Sequence, residues 1–189
     1  MKTRNIAIFA SGRGSNARAI LEKETVYNYH VALIIVSNPK AAVLHLAKEN
    51  NRPFLILDKK NFQDTSEILE TLKGHQIDLI CLAGFLWKVP PYLIQSFPDK
   101  IINIHPALLP KYSGKGMYGI HVHKAVVSSQ ETTSGITIHL VNEEYDKGRI
   151  LHQETIQLNE SETAQSLADR ILVLEHKWFP QVIGAFITT

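Results

Sequence analysis

Apolar positions in the first half of the chain fall into short, nearly unbroken runs at Asn5–Ala10, Val31–Val36, Phe54–Leu57, Leu79–Ala83 and Ile101–Ile104. Runs of this length that are continuous rather than alternating predict strands buried on both faces of a parallel sheet. Between them, apolar residues recur three and four apart over Ala17–Lys23, Ala41–Glu49 and Phe62–Leu72, the last following Asp58 and closed by Gly74. That spacing predicts helices with one buried face. Strand and helix in alternation predict an α/β fold: a single Rossmann-like, doubly wound, mostly parallel sheet with helices on both faces.

Beyond Pro110 the pattern changes. A polar, glycine-rich stretch, Lys111–Gly119, precedes a predicted helix over His121–Ser128 and two further strands, Gly135–Val141 and Ile150–Leu158, placed to extend the sheet. Leu167, Ile171, Leu174, Trp178 and Val182 give Thr163–Phe186 the spacing of a helix docked on the core. Pro180 predicts a kink or break near Phe179. No repeat or linker interrupts the chain, so residues 1–189 are read as one domain, long enough to bury about 70% of its unfolded surface.

Composition removes several function classes. Hydrophobic residues at 44% and charged residues at 20% are ordinary for a globular chain and argue against disorder. The net charge of +2 comes from scattered Lys and Arg, so no basic stripe points to nucleic acid. The single cysteine, Cys81, excludes an intrachain disulfide and a multi-cysteine metal site. No apolar run approaches the roughly 18 residues of a membrane span, and Ile6–Ala10 is too brief for a signal-peptide core. A cytoplasmic protein is expected.

Three polar clusters carry the candidate chemistry. Ser11-Gly-Arg-Gly-Ser-Asn16 follows a strand and opens a helix, where flexible glycines and unpaired amides favour a phosphate. Gly12–Ala17 also satisfies the dinucleotide pattern G-x-G-x-x-A. The next strand, however, ends in Ser37-Asn38-Pro39, with no acid to grip a ribose, which speaks against a dehydrogenase. Asn103 and His105 lie two apart at the end of the fifth strand, on one side of the chain, before Pro106 stops it. An amide and an imidazole at the carboxyl end of a parallel strand can stabilise an oxyanion and move a proton. Asp146, in an acidic turn between the two late strands, would couple to His105 if the fold brought them together. His121-x-His123 lacks the further ligands a zinc site needs. Phe85 and Trp87 suit either an aromatic pocket wall or the core.

In their order along the chain, Ser11-Gly-Arg-Gly-Ser-Asn16, Leu82-Ala-Gly-Phe85, Asn103-Ile-His-Pro-Ala-Leu-Leu-Pro110, Gly114-Lys-Gly-Met-Tyr-Gly119 and Asp146-x-Gly148 resemble the glycinamide ribonucleotide formyltransferases, folate-dependent enzymes of purine synthesis. The resemblance implies formyl transfer from 10-formyltetrahydrofolate, the co-substrate, to a small phosphorylated amine, without a metal. It implies catalysis by Asn103, His105 and Asp146. It further implies ribotide contacts at Gly14, Ser15, Asn16 and Glu175, and a pterin lying along Leu86, Trp87, Lys88 and Val89 beside Asn103.

The chain departs from the family in two places. Leu86-Trp87 stands where relatives often carry Met-Arg, and an arginine that some relatives place near the folate tail has no counterpart around Gln63–Ser66. A transfer-RNA formyltransferase or a formyltetrahydrofolate hydrolase would be expected to carry a further domain. A sugar-nucleotide formyltransferase and a non-catalytic phosphate-binding module remain as alternatives. The small-molecule substrates are the expected partners, and monomer and homodimer both stay open.

Overall fold

The computed structural model describes residues 3–64 and 67–188. Its strands are β1 (Arg4–Ala10), β2 (Tyr29–Val36), β3 (Phe54–Ile56), β4 (Leu79–Leu82), β5 (Ile101–His105), β6 (Thr133–Leu140) and β7 (Ile150–Gln157), and they form one sheet in the order β3-β2-β1-β4-β5-β6-β7. The first five pair in parallel; β6 and β7 extend the sheet antiparallel. The α/β expectation of a mostly parallel sheet with flanking helices is borne out. The helices are α1 (Ser15–Glu22), α2 (Glu24–Tyr27), α3 (Val43–Glu49), α4 (Lys59–Asp64), α5 (Glu67–Gly74), α6 (Pro91–Ser96), α7 (Ile120–Ser128) and α8 (Ala164–Thr188).

The continuous apolar runs of the central strands have a direct structural cause. Successive residues of a strand face opposite sides. Ile6 and Ile8 of β1 therefore pack in one layer with Ile20, Val126, Ile171 and Phe179. Ala7 and Phe9 pack in the other layer with Leu33, Phe62, Leu72 and Leu93. Both faces are dry, so neither set can be polar.

Several expectations need correction. The run Phe54–Leu57 reads as a fully buried strand, yet β3 is a three-residue edge strand whose Phe54 and Ile56 are each 40% exposed, because it pairs with β2 alone. The expected break near Phe179 does not occur: α8 runs unbroken through Pro180. A proline inside a helix costs about 3 kcal/mol. Phe179 and Ile183 on either side of it are fully buried, at about 1.5–3 kcal/mol each, which outweighs that cost. The span Phe62–Leu72 covers parts of two helices, α4 and α5; its Thr65 and Ser66, which belong to the Gln63–Ser66 departure, lie outside the described residues. The short helices α2 and α6 had no periodic signal. Pro91 sits in the first turn of α6, where a missing N–H is harmless.

The chain leaves β1 toward β2 and β3, then crosses back to β4 on the opposite side. This reversal opens a crevice at the carboxyl ends of β1 and β4, the usual ligand position in such sheets. Beyond β5, the segment after His105 is anchored by Thr137, fully buried in β6. Its hydroxyl donates to Ala107 O (2.7 Å) and accepts from Leu109 N (3.0 Å) and Gln153 Nε2 (2.9 Å). Replacing Thr137 by the isosteric Val strands a buried N–H and a carbonyl. Thr137→Val should therefore lower unfolding free energy by about 1–3 kcal/mol, read from urea denaturation; an unchanged midpoint would refute the anchor.

Candidate active site

A cavity of about 610 Å³ occupies the crevice beyond β1, β4 and β5. Asn103, His105, Asp146, Ser15, Asn16, Glu175 and the segment Leu86–Val89 all border it. Residues separated by more than 150 positions in sequence thus share one space, as the spacing alone had no means of requiring.

His105, 3% exposed, is held by a backbone group: its Nε2 lies 2.8 Å from Tyr112 O. A carbonyl only accepts, so Nε2 carries the hydrogen, and in the neutral ring Nδ1 is the bare nitrogen. Nδ1 faces Asp146 Oδ2 at 3.8 Å. Burial pushes the imidazole below its ordinary pKa, and the opposing pull of Asp146 and the Tyr112 carbonyl does not overcome it. The expectation that a nearby carboxylate favours the imidazolium is right in direction but loses to desolvation.

Asp146 adopts a left-handed backbone (φ 56°), and its side chain is mostly buried. The Asp-x-Gly spacing has a steric origin two residues on: a Cβ at Gly148 would stand 1.7 Å from Leu140 O, so only glycine lets the loop approach β6 this closely. Gly114 N donates to Asp146 Oδ2 at 2.9 Å. The other oxygen, Oδ1, lies 3.7 Å from His139 Nε2.

His139, buried in β6 opposite Asn103, completes the cluster. Its Nδ1 donates to Leu140 O (2.8 Å), which leaves Nε2 to accept from Asn103 Nδ2 (3.1 Å). Burial again lowers its pKa, keeping the ring in this acceptor form. One N–H of the Asn103 amide is thereby oriented, and the second has no partner among the described residues.

On the opposite side, no side chain caps α1, so its first-turn amides are free for an anion. Gly14 is the N-cap with φ 80°, and a Cβ there would meet Val43 Cγ2 at 2.7 Å. Asn16 Nδ2 donates to Glu175 Oε2 at 2.8 Å. Burial raises the Glu175 carboxyl to about 7, against the lowering effect of that hydrogen bond. Ser11 ties this loop to the wall across the cavity. Its Oγ accepts from Leu86 N (2.9 Å) and bonds to Ser37 Oγ (2.5 Å), and its backbone N donates to Gly84 O (3.1 Å).

That wall is apolar at Leu86 and Val89, with Leu86 exposed and Val89 buried. Trp87 combines both readings of the aromatic pair: it borders the cavity and packs on Phe62 (5.8 Å) and Phe85 (6.1 Å). Phe85 stands edge-on to Phe9 and Phe62, within the second core layer. Lys88 Nζ lies 5.5 Å from the Tyr145 ring centroid. His121 is exposed beside Tyr118, whereas His123 is buried near His105. Among the described residues, no three His, Cys, Asp or Glu side chains cluster to hold a metal ion.

Residues 4–183 match the formyl transferase family. The chain belongs to this family. It is 41% identical over 191 residues to the chloroplastic phosphoribosylglycinamide formyltransferase of Arabidopsis thaliana, covering 97% of this chain and 65% of that relative. It is 36% identical over 186 residues to the Bacillus subtilis phosphoribosylglycinamide formyltransferase, covering 95% and 93%. The crystal structure of phosphoribosylglycinamide formyltransferase from Bacillus halodurans superposes with a TM-score of 0.89 at 32% identity, covering 98% of this chain and 96% of that one. The chain spans less than two thirds of the two plant relatives, 65% of the Arabidopsis protein and 61% of the Vigna unguiculata protein. The resemblance carried by the motifs is thus borne out, and the formyl transferase fold frames the cavity.

Two groups of the cluster, His139 and the Tyr112 carbonyl, lie outside the motifs of the sequence. A histidine inside the apolar run of Gly135–Val141 was a signal for the first. Nothing in a residue type announces the second.

His123, held neutral by burial with a pKa near 4, sets a pH dependence of stability. Unfolded, its pKa returns to about 6.5. Between those values the unfolded chain binds the proton and the folded one does not, so stability must fall as pH drops from about 6.5 toward 4. Urea midpoints at pH 7.0 and 4.5 should differ less for His123→Gln than for the wild type; an equal difference would exclude His123 as a contributor.

Proposed function

We propose that the protein transfers the formyl group of 10-formyltetrahydrofolate to the amine of 5-phosphoribosylglycinamide, giving N-formylglycinamide ribonucleotide and tetrahydrofolate in de novo purine biosynthesis. The observation that carries this reading is the meeting of Asn103, His105 and Asp146 midway between an uncapped helix start and an apolar wall, within one cavity. Gly14, Ser15 and Asn16 would hold the ribotide phosphate, with Glu175 toward the acceptor. Leu86, Trp87, Lys88 and Val89 would lie along the pterin. The names and coverage of the bacterial relatives support this choice of substrates.

The chemistry follows from the hydrogen positions. As the acceptor nitrogen bonds to the formyl carbon, the carbonyl pair moves onto oxygen. The uncommitted N–H of Asn103 is placed to stabilise that oxyanion, and preorganised donors of this kind are worth about 2.7–4 kcal/mol. The attacking amine must shed a proton. His105 Nδ1 and the Asp146 carboxylate offer it two facing lone pairs 3.8 Å apart. The imidazolium so formed adds its charge to oxyanion stabilisation. Collapse restores the carbonyl, breaks the bond to the folate nitrogen and returns the proton to that nitrogen, so atoms and charge balance.

Turnover of glycinamide ribotide and 10-formyltetrahydrofolate, followed by absorbance as tetrahydrofolate is released, tests the reading. His105→Ala should lose kcat by at least about 100-fold while the ribotide KM stays within about twofold. Absence of turnover in the wild type, or near-normal kcat in His105→Ala, would discard the assignment.

A further inference from the structure

The Lys111–Gly119 segment is fastened to the catalytic groups at two backbone points: Tyr112 O receives His105 Nε2–H, and Gly114 N–H donates to Asp146. Tyr112 itself sits at φ 57°. A bulky residue in the left-handed region costs on the order of 1–3 kcal/mol and persists where its surroundings dictate it. The surroundings that do so converge on Glu131, in the turn between α7 and β6. Its Oε1 accepts from Tyr112 Oη at 3.0 Å and from Lys111 Nζ at 2.8 Å. Both donors hold the Glu131 carboxyl below its ordinary range, so it stays charged. The ring of Tyr112 packs against the core, and Glu131 lies two residues before β6, so the anchor is referenced to the rigid sheet.

We propose that Glu131 is a positioning residue: by gripping the side chains of Lys111 and Tyr112 it fixes the Tyr112 carbonyl on His105 Nε2, and so makes Nδ1 the nitrogen that exchanges protons with substrate. Glu131 does not border the cavity and touches no reacting atom. Its effect passes through a backbone carbonyl to the tautomer of one imidazole. An ion pair whose lysine is 66% exposed adds little to global stability. The consequence of losing Glu131 is therefore local: Tyr112 relaxes toward right-handed backbone, its carbonyl turns away, and His105 samples both tautomers.

The kinetic part of this inference rests on the proposed formyl transfer, whereas the tautomer does not, and the two are measured separately. ¹⁵N NMR of histidine-labelled protein, with the His105 signals identified by their loss in His105→Gln, reads the tautomer without substrate. The wild type should show the Nε2–H form, and Glu131→Ala a mixture of Nε2–H and Nδ1–H. Tyr112→Phe should shift the same way by a smaller amount. Glu131→Gln, which keeps an acceptor oxygen, should restore the wild-type spectrum. In the transfer assay, Glu131→Ala should lose kcat about tenfold with both KM values within about twofold, since displacement of a catalytic group by 1 Å costs up to about 100-fold. A His105 spectrum identical to wild type in both Glu131→Ala and Tyr112→Phe overturns the proposal whatever the kinetics. Absent turnover in the wild type overturns the formyl-transfer reading alone and leaves the spectrum to decide this one.

Discussion

A backbone carbonyl has lone pairs and no hydrogen, and much of the candidate active site is organised around that fact. Tyr112 O compels His105 to carry its hydrogen on Nε2, and Leu140 O compels His139 to carry its hydrogen on Nδ1. The two remaining ring nitrogens face opposite oxygens of one carboxylate, that of Asp146. His139 Nε2 is already satisfied by the Asn103 amide, so His105 Nδ1 and the carboxylate it faces are left as the two acceptors with an electrostatic demand for a proton. Under the proposed formyl transfer, an amine becoming an amide would release one there. The polarity of the site is thus set by main-chain atoms, whose positions only the fold can guarantee.

The fold supplies that guarantee through a change of strand direction. Five parallel strands deliver Asn103 and His105 to the carboxyl edge, and the antiparallel return of β6 sets His139 opposite Asn103 and Thr137 opposite His105. The β6–β7 connection then brings Asp146 back over the same edge. A purely parallel sheet would need a helical crossover of a dozen or more residues at this point, which would carry the carboxylate elsewhere.

The parts of this arrangement readable in the chain are those with a one-dimensional signature. Unbroken apolar runs marked the central strands because both sheet faces are dry; Phe54–Leu57 misled because an edge strand can be equally apolar. Asn103 and His105 were visible from their two-residue spacing at a strand end. Asp146 gained its meaning only from resemblance, since an acid in a turn looks alike whether it faces water or an imidazole. His139 was hidden in a run read as core, and the Tyr112 carbonyl could not be seen because every residue owns one. Pro180 shows the converse: a strong local rule gave way to burial of the helix that contains it.

Ser11 is a single hydroxyl with two loyalties. It closes the tip of β1 against β2 through Ser37 and, through the Leu86 amide, carries the wall on the far side of the cavity. The two halves of the binding space are consequently not independent modules. A change that remodels one rim would be transmitted through Ser11 to the loop at the start of α1, so, under the proposed function, attempts to evolve new selectivity should find donor and acceptor affinities moving together.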